Sequence, residues 1–302
     1  MPQRSLAAKP ALPEDLRRTV QALSDGTLAA RAYCESRLAR IHANEAGLRA
    51  WIALDDERAL TLAAACDAGR ARGGHIGALH GVPVGVKDVF DTDDLPTEMG
   101  SPAFVGHQPG KNAAIVERIL AAGGYALGKT ATTEFAFMHP AETRNPWNLR
   151  HTPGGSSSGS AAAVAAGHVP VAVGTQTNGS VIRPAAFCGV VGFKPTLDSL
   201  PIQGALPFAE TLDHVGVFAR TVADAAYFAA SLAESGKFAP EIETLSRPPK
   251  IAVLHRYPWN AAEPDAARHF QSSLKRLAAA GTEGRGSCVM GGWQHDPTCG
   301  PH

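Results

Sequence analysis

Residues 153–196 read PGGSSSGSAAAVAAGHVPVAVGTQTNGSVIRPAAFCGVVGFKPT and hold two serine-bearing, glycine-rich turns, at 154–159 and 178–180. An apolar segment with the length of one helix and one strand separates the turns. Glycine lets the backbone take positive φ and approach a bound group closely, so such turns can aim a hydroxyl and several N–H groups at one point. One turn of this kind is common in loops, since Gly and Ser are ordinary loop residues. Two of them around a single helix–strand segment indicate a site much more strongly.

The composition is that of an ordinary soluble globule. The chain has 302 residues, of which 44% are hydrophobic, enough for one large domain or two small ones. Lys plus Arg and Asp plus Glu both number 28, so the overall charge does not indicate nucleic acid or an anionic membrane as a partner. We therefore expect a small, uncharged substrate.

The cysteines and the N-terminus predict a cytoplasmic location. The N-terminal residues have no apolar signal-peptide core, and no apolar run is long enough to span a bilayer. The five cysteines are odd in number and lack the spacing of a disulfide framework, which suits a reducing compartment: Cys34, Cys66, Cys188, Cys288 and Cys299.

Strand and helix patterns alternate along the chain. The valines at 82, 84 and 86 alternate as in a strand, and short apolar strands are also predicted at 51–54, 125–128, 169–174, 189–192 and 250–254. Helical spacing or composition predicts an N-terminal helical layer and further helices at 57–70, 113–122, 161–166, 221–232 and 264–280. This alternation predicts an α/β fold with a mixed, largely parallel central sheet covered by helices on both faces.

Lys87 lies at the end of the valine-rich strand. A serine hydroxyl needs a base to become a strong nucleophile, and none of the 12 histidines forms a recognisable pair with either serine turn. A lysine held in a buried site can be neutral and act as that base. The alternative is that Lys87 caps a helix or forms an ion pair, for example with Asp88, and its position alone does not separate the two.

Four stretches, in this order, resemble the amidase signature family. They read GVPVGVKD (81–88), PGGSSSGSAAAV (153–164), GTQTNGSVIRP (174–184) and FCGVVGFKP (187–195), and the similarity extends from Trp51 to about Gly281. The resemblance implies an amidase that hydrolyses a small carboxamide to a carboxylate and ammonia or an amine, with no metal or organic cofactor. It also leaves a homodimer open.

The resemblance also implies a catalytic role for each serine turn. Ser180 would be the nucleophile that forms an acyl-enzyme, Ser156 a bridging serine after a cis peptide bond, and Lys87 the neutral base. The oxyanion hole would be formed by backbone N–H groups at Thr177, Asn178 and Gly179, together with that of the nucleophile.

Two features depart from the family pattern. Asn178 stands where the family often has glycine, and asparagine tolerates positive φ better than most residues. Family members also continue well beyond this length, so we interpret residues 1–281 as a C-terminally shortened amidase domain and 282–302 as an irregular, disordered tail. The tail contains a Cys/His set whose spacing matches no zinc pattern: Cys288, His295, Cys299 and His302.

Several other interpretations compete with the stand-alone amidase. Within the family, the chain could be the glutaminase subunit of a tRNA-dependent amidotransferase or a catalytically impaired relic; the wording of 174–184 favours a stand-alone enzyme. Residues 155–159 match G-x-S-x-G, the α/β-hydrolase motif with Ser157 as nucleophile, but no apolar strand precedes them. A phosphate-binding loop is also disfavoured, because neither glycine-rich phosphate motif is present.

Overall fold

The computed structural model describes residues 15–234, 236–242, 245–254 and 262–287, and the chain divides into two compact units, residues 1–242 and 243–302. None of the helices in these described ranges is long and apolar enough to cross a membrane. The helices and strands of the first unit are α1 (Leu16–Asp25), α2 (Ala30–Leu48), β1 (Trp51–Leu54), α3 (Asp56–Ala71), β2 (Pro83–Lys87), α4 (Ala114–Ala121), β3 (Tyr125–Thr130), α5 (Ser158–Ala165), β4 (Val171–Gln176), α6 (Ile182–Cys188), β5 (Val191–Phe193), β6 (His214–Ala219) and α7 (Val222–Leu232). Those of the second unit are β7 (Lys250–Leu254), α8 (Pro264–Ala279) and β8 (Glu283–Ser287).

A six-stranded sheet forms the centre of the first unit, in the order β1-β3-β2-β4-β6-β5. Strand β2 pairs in parallel with both β3 and β4, whereas the β1–β3, β4–β6 and β5–β6 pairings are antiparallel. The predicted mixed α/β fold is confirmed, but the sheet is not largely parallel. Apolar alternation identifies a strand without giving its direction, so the sequence pattern could not supply the three antiparallel pairings.

Both faces of the sheet centre are covered. Every residue of β2, β3 and β4 is buried, and successive side chains of a strand point to opposite faces. Helix α5 lies very close to the sheet, since a Cβ on Gly159 would come within 2.2 Å of the Ala50 carbonyl oxygen. Glycine at 159 therefore sets how closely the serine-rich turn approaches the strand ends.

The predicted N-terminal helical layer is present. Helix α1 buries Leu16, Val20 and Leu23, the residues that recur at helical spacing in the sequence. Its first N–H group, on Leu16, donates a 2.8 Å hydrogen bond to the buried Asp224 carboxylate in α7. This bond satisfies a backbone donor that the start of a helix otherwise leaves unpaired.

Three elements differ from the sequence-based expectations. Helix α6 and strand β6 were not predicted, and β8 lies within the segment predicted to be irregular, where it pairs in parallel with β7. The β8 sequence, EGRGS, has no apolar alternation, so the pairing of its backbone with β7 makes it a strand. The two compact units also meet near residue 242 rather than 281, and residues 288–302 with their Cys/His set lie outside the described residues.

Replacing Asp224 with alanine should lower the free energy of unfolding by about 1–3 kcal/mol, because the Leu16 N–H group would be left buried without an acceptor. Urea denaturation with an unchanged m-value would measure the loss. The matched control is Val222→Ala on the exposed face of α7, where the side chain is 62% exposed and the expected change is within about 0.5 kcal/mol. Equal stability of both variants would show that the Asp224 bond does not hold α1.

Candidate active site

Three strand ends meet at one edge of the sheet. Lys87 is the last residue of β2 and is in register with Thr130, the last residue of β3, while Thr175 lies at the same end of β4. The three strands are parallel, so their carboxyl ends lie at the same edge, where ligand sites of α/β sheets are commonly found. The serine-rich turn that leads into α5 packs over this edge, with the Ser160 hydroxyl 2.7 Å from that of Thr130.

Lys87 is fully buried and contacts two hydroxyl groups. Its Nζ lies 2.7 Å from Ser156 Oγ and 2.8 Å from Thr175 Oγ1. Burial lowers the pKa of Lys87 to about 7, and the negative charge of Asp213 opposes this shift only in part. A large fraction of the side chain is therefore the neutral amine near pH 7, the form that can accept a proton.

Asp88 does not pair with Lys87. Its carboxylate lies 3.2 Å from Nζ of Lys129, and both side chains of this ion pair are completely buried. Lys129 also donates to the carbonyl of Pro96 and to Thr97 Oγ1, at 3.0 and 2.6 Å. The ion-pair alternative for Lys87 therefore applies to its strand neighbour Lys129 instead.

Ser156 is held from both sides. The Gly155–Ser156 peptide bond is cis, the geometry that the resemblance implies. The Ser156 carbonyl accepts a 3.1 Å hydrogen bond from Thr133 N–H, and Arg183 Nε donates to the Gly155 carbonyl at 3.0 Å. The Ser156 side chain is 2% exposed, so its hydroxyl lies between Lys87 and the interior end of the site.

The second turn lies directly against the first. Ser157 N–H donates to the Ser180 carbonyl at 3.3 Å, and Ser180 is itself buried. Gln176 Oε1 accepts from the N–H groups of Val181 and Ile182, at 2.8 and 2.9 Å, which fixes the chain where it enters α6. Ser156 and Ser180, separated in sequence by α5 and β4, are thus brought into adjacent turns.

The backbone before Ser180 is anchored at one position and open at the next two. Thr177 Oγ1 donates a short hydrogen bond to Asp213, whose other carboxylate oxygen accepts from Phe208 N–H at 2.7 Å. Among the hydrogen bonds within the described residues, none uses the N–H group of Asn178 or Gly179 as donor. These N–H groups, beside an exposed Asn178 side chain, have the character of donors for a bound oxygen atom.

Two rival assignments do not fit the geometry. Ser157 is fully buried and its hydroxyl donates to the Thr175 carbonyl at 3.2 Å, so it cannot be the exposed nucleophile of a G-x-S-x-G turn. His168 is also buried; it accepts from the Trp51 indole N–H at 3.0 Å, and burial lowers its pKa to about 3. Its second ring nitrogen bonds Asn44, so His168 has the structural role predicted for it.

The comparisons with known proteins extend over most of the chain. The family model named Amidase matches residues 32–285. The chain belongs to the amidase family. One similar relative of this amidase is a glutamyl-tRNA(Gln) amidotransferase subunit from Chloroflexus aggregans, 46% identical over 211 residues that cover 68% of this chain and 43% of the relative.

Solved amidase structures superpose closely. A crystal structure of an amidase has a TM-score of 0.83 at 33% identity and covers 91% of this chain and 64% of that one. Native peptide amidase from Stenotrophomonas maltophilia has a TM-score of 0.81 at 30% identity and covers 92% of this chain and 62% of its own. The chain therefore spans less than half of the curated relative and less than two thirds of these two structures.

Sequence reasoning did not single out several residues that shape the site. Thr175 is the second acceptor of the Lys87 amine, and Gln176 and Arg183 hold the two turns. Thr133 and Asp213 lie within stretches that support the resemblance, but only the fold shows that they contact the turns of Ser156 and Ser180. Polar residues within or next to otherwise apolar strands, such as Thr175 and Gln176, were the available signal.

The lowered pKa of Lys87 predicts a specific pH dependence of stability. The unfolded chain binds a proton at Lys87 up to about pH 10.5, whereas the folded chain releases it near pH 7. Between these values, unfolding takes up a proton, so the free energy of unfolding rises with pH by up to about 1.4 kcal/mol per unit. Below pH 7 the contribution is constant.

Lys87→Met removes this titration, so wild type should become more stable relative to the variant as pH rises from 7.5 to 9.5, and the difference should level off below pH 7. Urea denaturation of both proteins across this range measures the difference, because the other titrating groups are common to both. A difference that stays constant from pH 6 to 9.5 would contradict the lowered pKa.

Proposed function

We propose that this member of the amidase family hydrolyses the C–N bond of a small carboxamide through an acyl-Ser180 intermediate. The observation that carries the proposal is the 2.7 Å contact between Ser156 Oγ and the amine of the completely buried Lys87. A base near its own pKa at neutral pH is best suited to take and return a proton. The adjacent turns bring Ser180 to this pair, as a Ser–cis-Ser–Lys triad requires.

The proposed steps move one proton back and forth. The Ser180 hydroxyl gives its proton to the Ser156 oxygen as Ser156 passes its own to neutral Lys87, and the Ser180 oxygen bonds to the substrate carbonyl carbon. The C–N bond then breaks as the Lys87 ammonium returns a proton through Ser156 to the leaving nitrogen. Water gives up a proton by the same route, attacks the acyl ester and releases the carboxylate with Ser180 restored.

Backbone donors would stabilise the oxyanion that forms in each addition step. The N–H groups of Thr177, Asn178 and Gly179, with that of Ser180, precede or belong to the proposed nucleophile. A donor aimed at the developing charge contributes roughly 3 kcal/mol to transition-state stabilisation. No metal or organic cofactor enters this mechanism.

A glutaminase subunit is the second candidate, because curated relatives are named as subunits of glutamyl-tRNA(Gln) amidotransferase. The two candidates share the acyl-serine chemistry and differ in substrate and partners: glutamine with partner subunits, or a simple amide without them. The wording of 174–184 favours the simple amide. Ammonia release from acetamide, propionamide and glutamine by the purified chain alone distinguishes them.

We also propose that the protein works in the cytoplasm. Three cysteines within the described residues, Cys34, Cys66 and Cys188, are free thiols, which suits a reducing compartment. A homodimer stays a prediction.

A fluorophosphonate probe should label the purified chain once, at Ser180, because an activated serine oxygen attacks phosphorus. Intact-mass spectrometry would show one adduct in wild type, no adduct in Ser180→Ala, and an unchanged adduct in Ser231→Ala, a serine on α7 that donates to Tyr227. A folded chain that takes no label would instead favour a catalytically impaired amidase-like protein.

Lys87→Ala should lower kcat by roughly 10³-fold with the fold retained, the size expected for loss of a general base. Ser156→Ala should be impaired less than Ser180→Ala, since a water molecule can occupy the space of the bridging hydroxyl. Lys111→Ala, at an exposed lysine, is the matched control and should retain wild-type turnover. Full activity in Lys87→Ala would exclude the lysine base, and wild-type activity in Ser156→Ala would exclude the bridge.

A further inference from the structure

We propose that Phe137 and Phe208 form an apolar wall of the substrate site and select amides that carry an apolar group, aryl or branched alkyl, beside the scissile bond. This inference rests on the proposed function and adds the substrate class to it. The two rings lie 5.5 Å apart between centroids and are tilted by 34°. They remain 61% and 48% exposed, although large aromatic side chains are normally covered.

The loop that carries Phe137 is attached to the turn of Ser156. Thr133 N–H donates to the Ser156 carbonyl at 3.1 Å, and the Thr133 hydroxyl donates to the Phe137 carbonyl at 2.9 Å. The methyl group of Thr133 lies against Gly155, where an added Cβ would come within 2.8 Å of it. The position of Phe137 is therefore set by the same residue that holds Ser156.

The loop that carries Phe208 is attached to the turn of Ser180. One oxygen of the Asp213 carboxylate accepts from the N–H groups of Phe208 and Ala209, at 2.7 and 2.8 Å. The other oxygen accepts from the Thr177 hydroxyl, three residues before Ser180. Asp213 thus joins the backbone of Phe208 to the segment proposed to bind the oxyanion.

These contacts close a ring around the proposed nucleophile. One side of the ring is the contact between the two serine turns, in which Ser157 N–H donates to the Ser180 carbonyl. The opposite side is the contact between the rings of Phe137 and Phe208. A substrate whose carbonyl carbon reaches Ser180 therefore places its substituents next to the aromatic pair.

The wall is held firmly in place. Phe135 and Ala136 adopt left-handed φ values of 49° and 57°, which are unfavourable for non-glycine residues and are maintained where the surrounding structure demands them. Phe135 N–H donates to the Met99 carbonyl at 2.8 Å, and Met99 N–H donates to the carbonyl of Asp88 at 3.1 Å. The loop is thereby tied to the strand end that carries Lys87, and a rigid apolar wall binds a substituent without first having to be ordered.

The test compares kcat/KM for phenylacetamide and acetamide, which differ only in the phenyl group. Phe137→Ala and Phe208→Ala should each lower the ratio of phenylacetamide to acetamide activity about tenfold, since an aromatic substituent loses most of its apolar contact. The double variant should lose less than the product of the two single effects, because the rings contact each other. Phe137→Leu and Phe208→Leu should recover part of the ratio.

Phe238→Ala is the matched control, since it removes one ring of another aromatic pair, with Phe193 at 5.7 Å, and should leave the ratio unchanged. An equal fall with both amides in the Phe137 and Phe208 variants would mean that the pair only supports the fold, and would overturn the inference alone. An unchanged ratio in these variants would do the same. Wild type that turns over no amide and takes no fluorophosphonate label would overturn the proposed function and this inference with it.

Discussion

The burial of one lysine amine among hydroxyl groups is the constraint on which the rest of the site depends. An ammonium group removed from water is costly, and the Lys87 side chain contacts the hydroxyls of Ser156 and Thr175 without a carboxylate within ion-pair distance in the described part of the chain. The energetically cheaper state is the neutral amine, which lowers the pKa to about 7. Parallel pairing of β3, β2 and β4 then matters because it brings the strand ends that supply these groups to one edge.

A second buried lysine beside the first shows why the partner decides the outcome. Lys129 on β3 is as buried as Lys87, but the Asp88 carboxylate lies 3.2 Å from its Nζ. Burial lowers the pKa of Lys129 as well, and Asp88 opposes that shift, so this lysine belongs to an ion pair that anchors the following loop. Lys87 and Asp88 are consecutive, and alternation along the strand directs their side chains to opposite faces. The same strand end therefore holds a structural ion pair on one face and a neutral amine on the other.

Most elements of the first unit could be predicted from periodicity, and the exceptions have a common cause. Helix α6 contains Pro184, and strand β6 begins at His214 after a long irregular segment, so neither carries a clear pattern of its own. Gln176 holds the start of α6 through two backbone N–H groups, and β6 is stabilised by pairing with both β4 and β5. Strand β8 in the second unit likewise depends on its pairing with β7. Contacts made only in the folded chain override weak local preference in all three elements.

The sequence by itself determined the α/β class, the family, and the chemistry of the residues at the site, because glycine-rich turns, a lysine at a strand end and their order along the chain are local features. It left open whether Lys87 pairs with Asp88. Only the tertiary structure assigned Asp88 to Lys129, joined Thr133 to Ser156 and Asp213 to Thr177, and brought the rings of Phe137 and Phe208 together. The physical reason is that the burial of a charge and the meeting of distant loops depend on the packing of segments far apart in sequence, which no local pattern records.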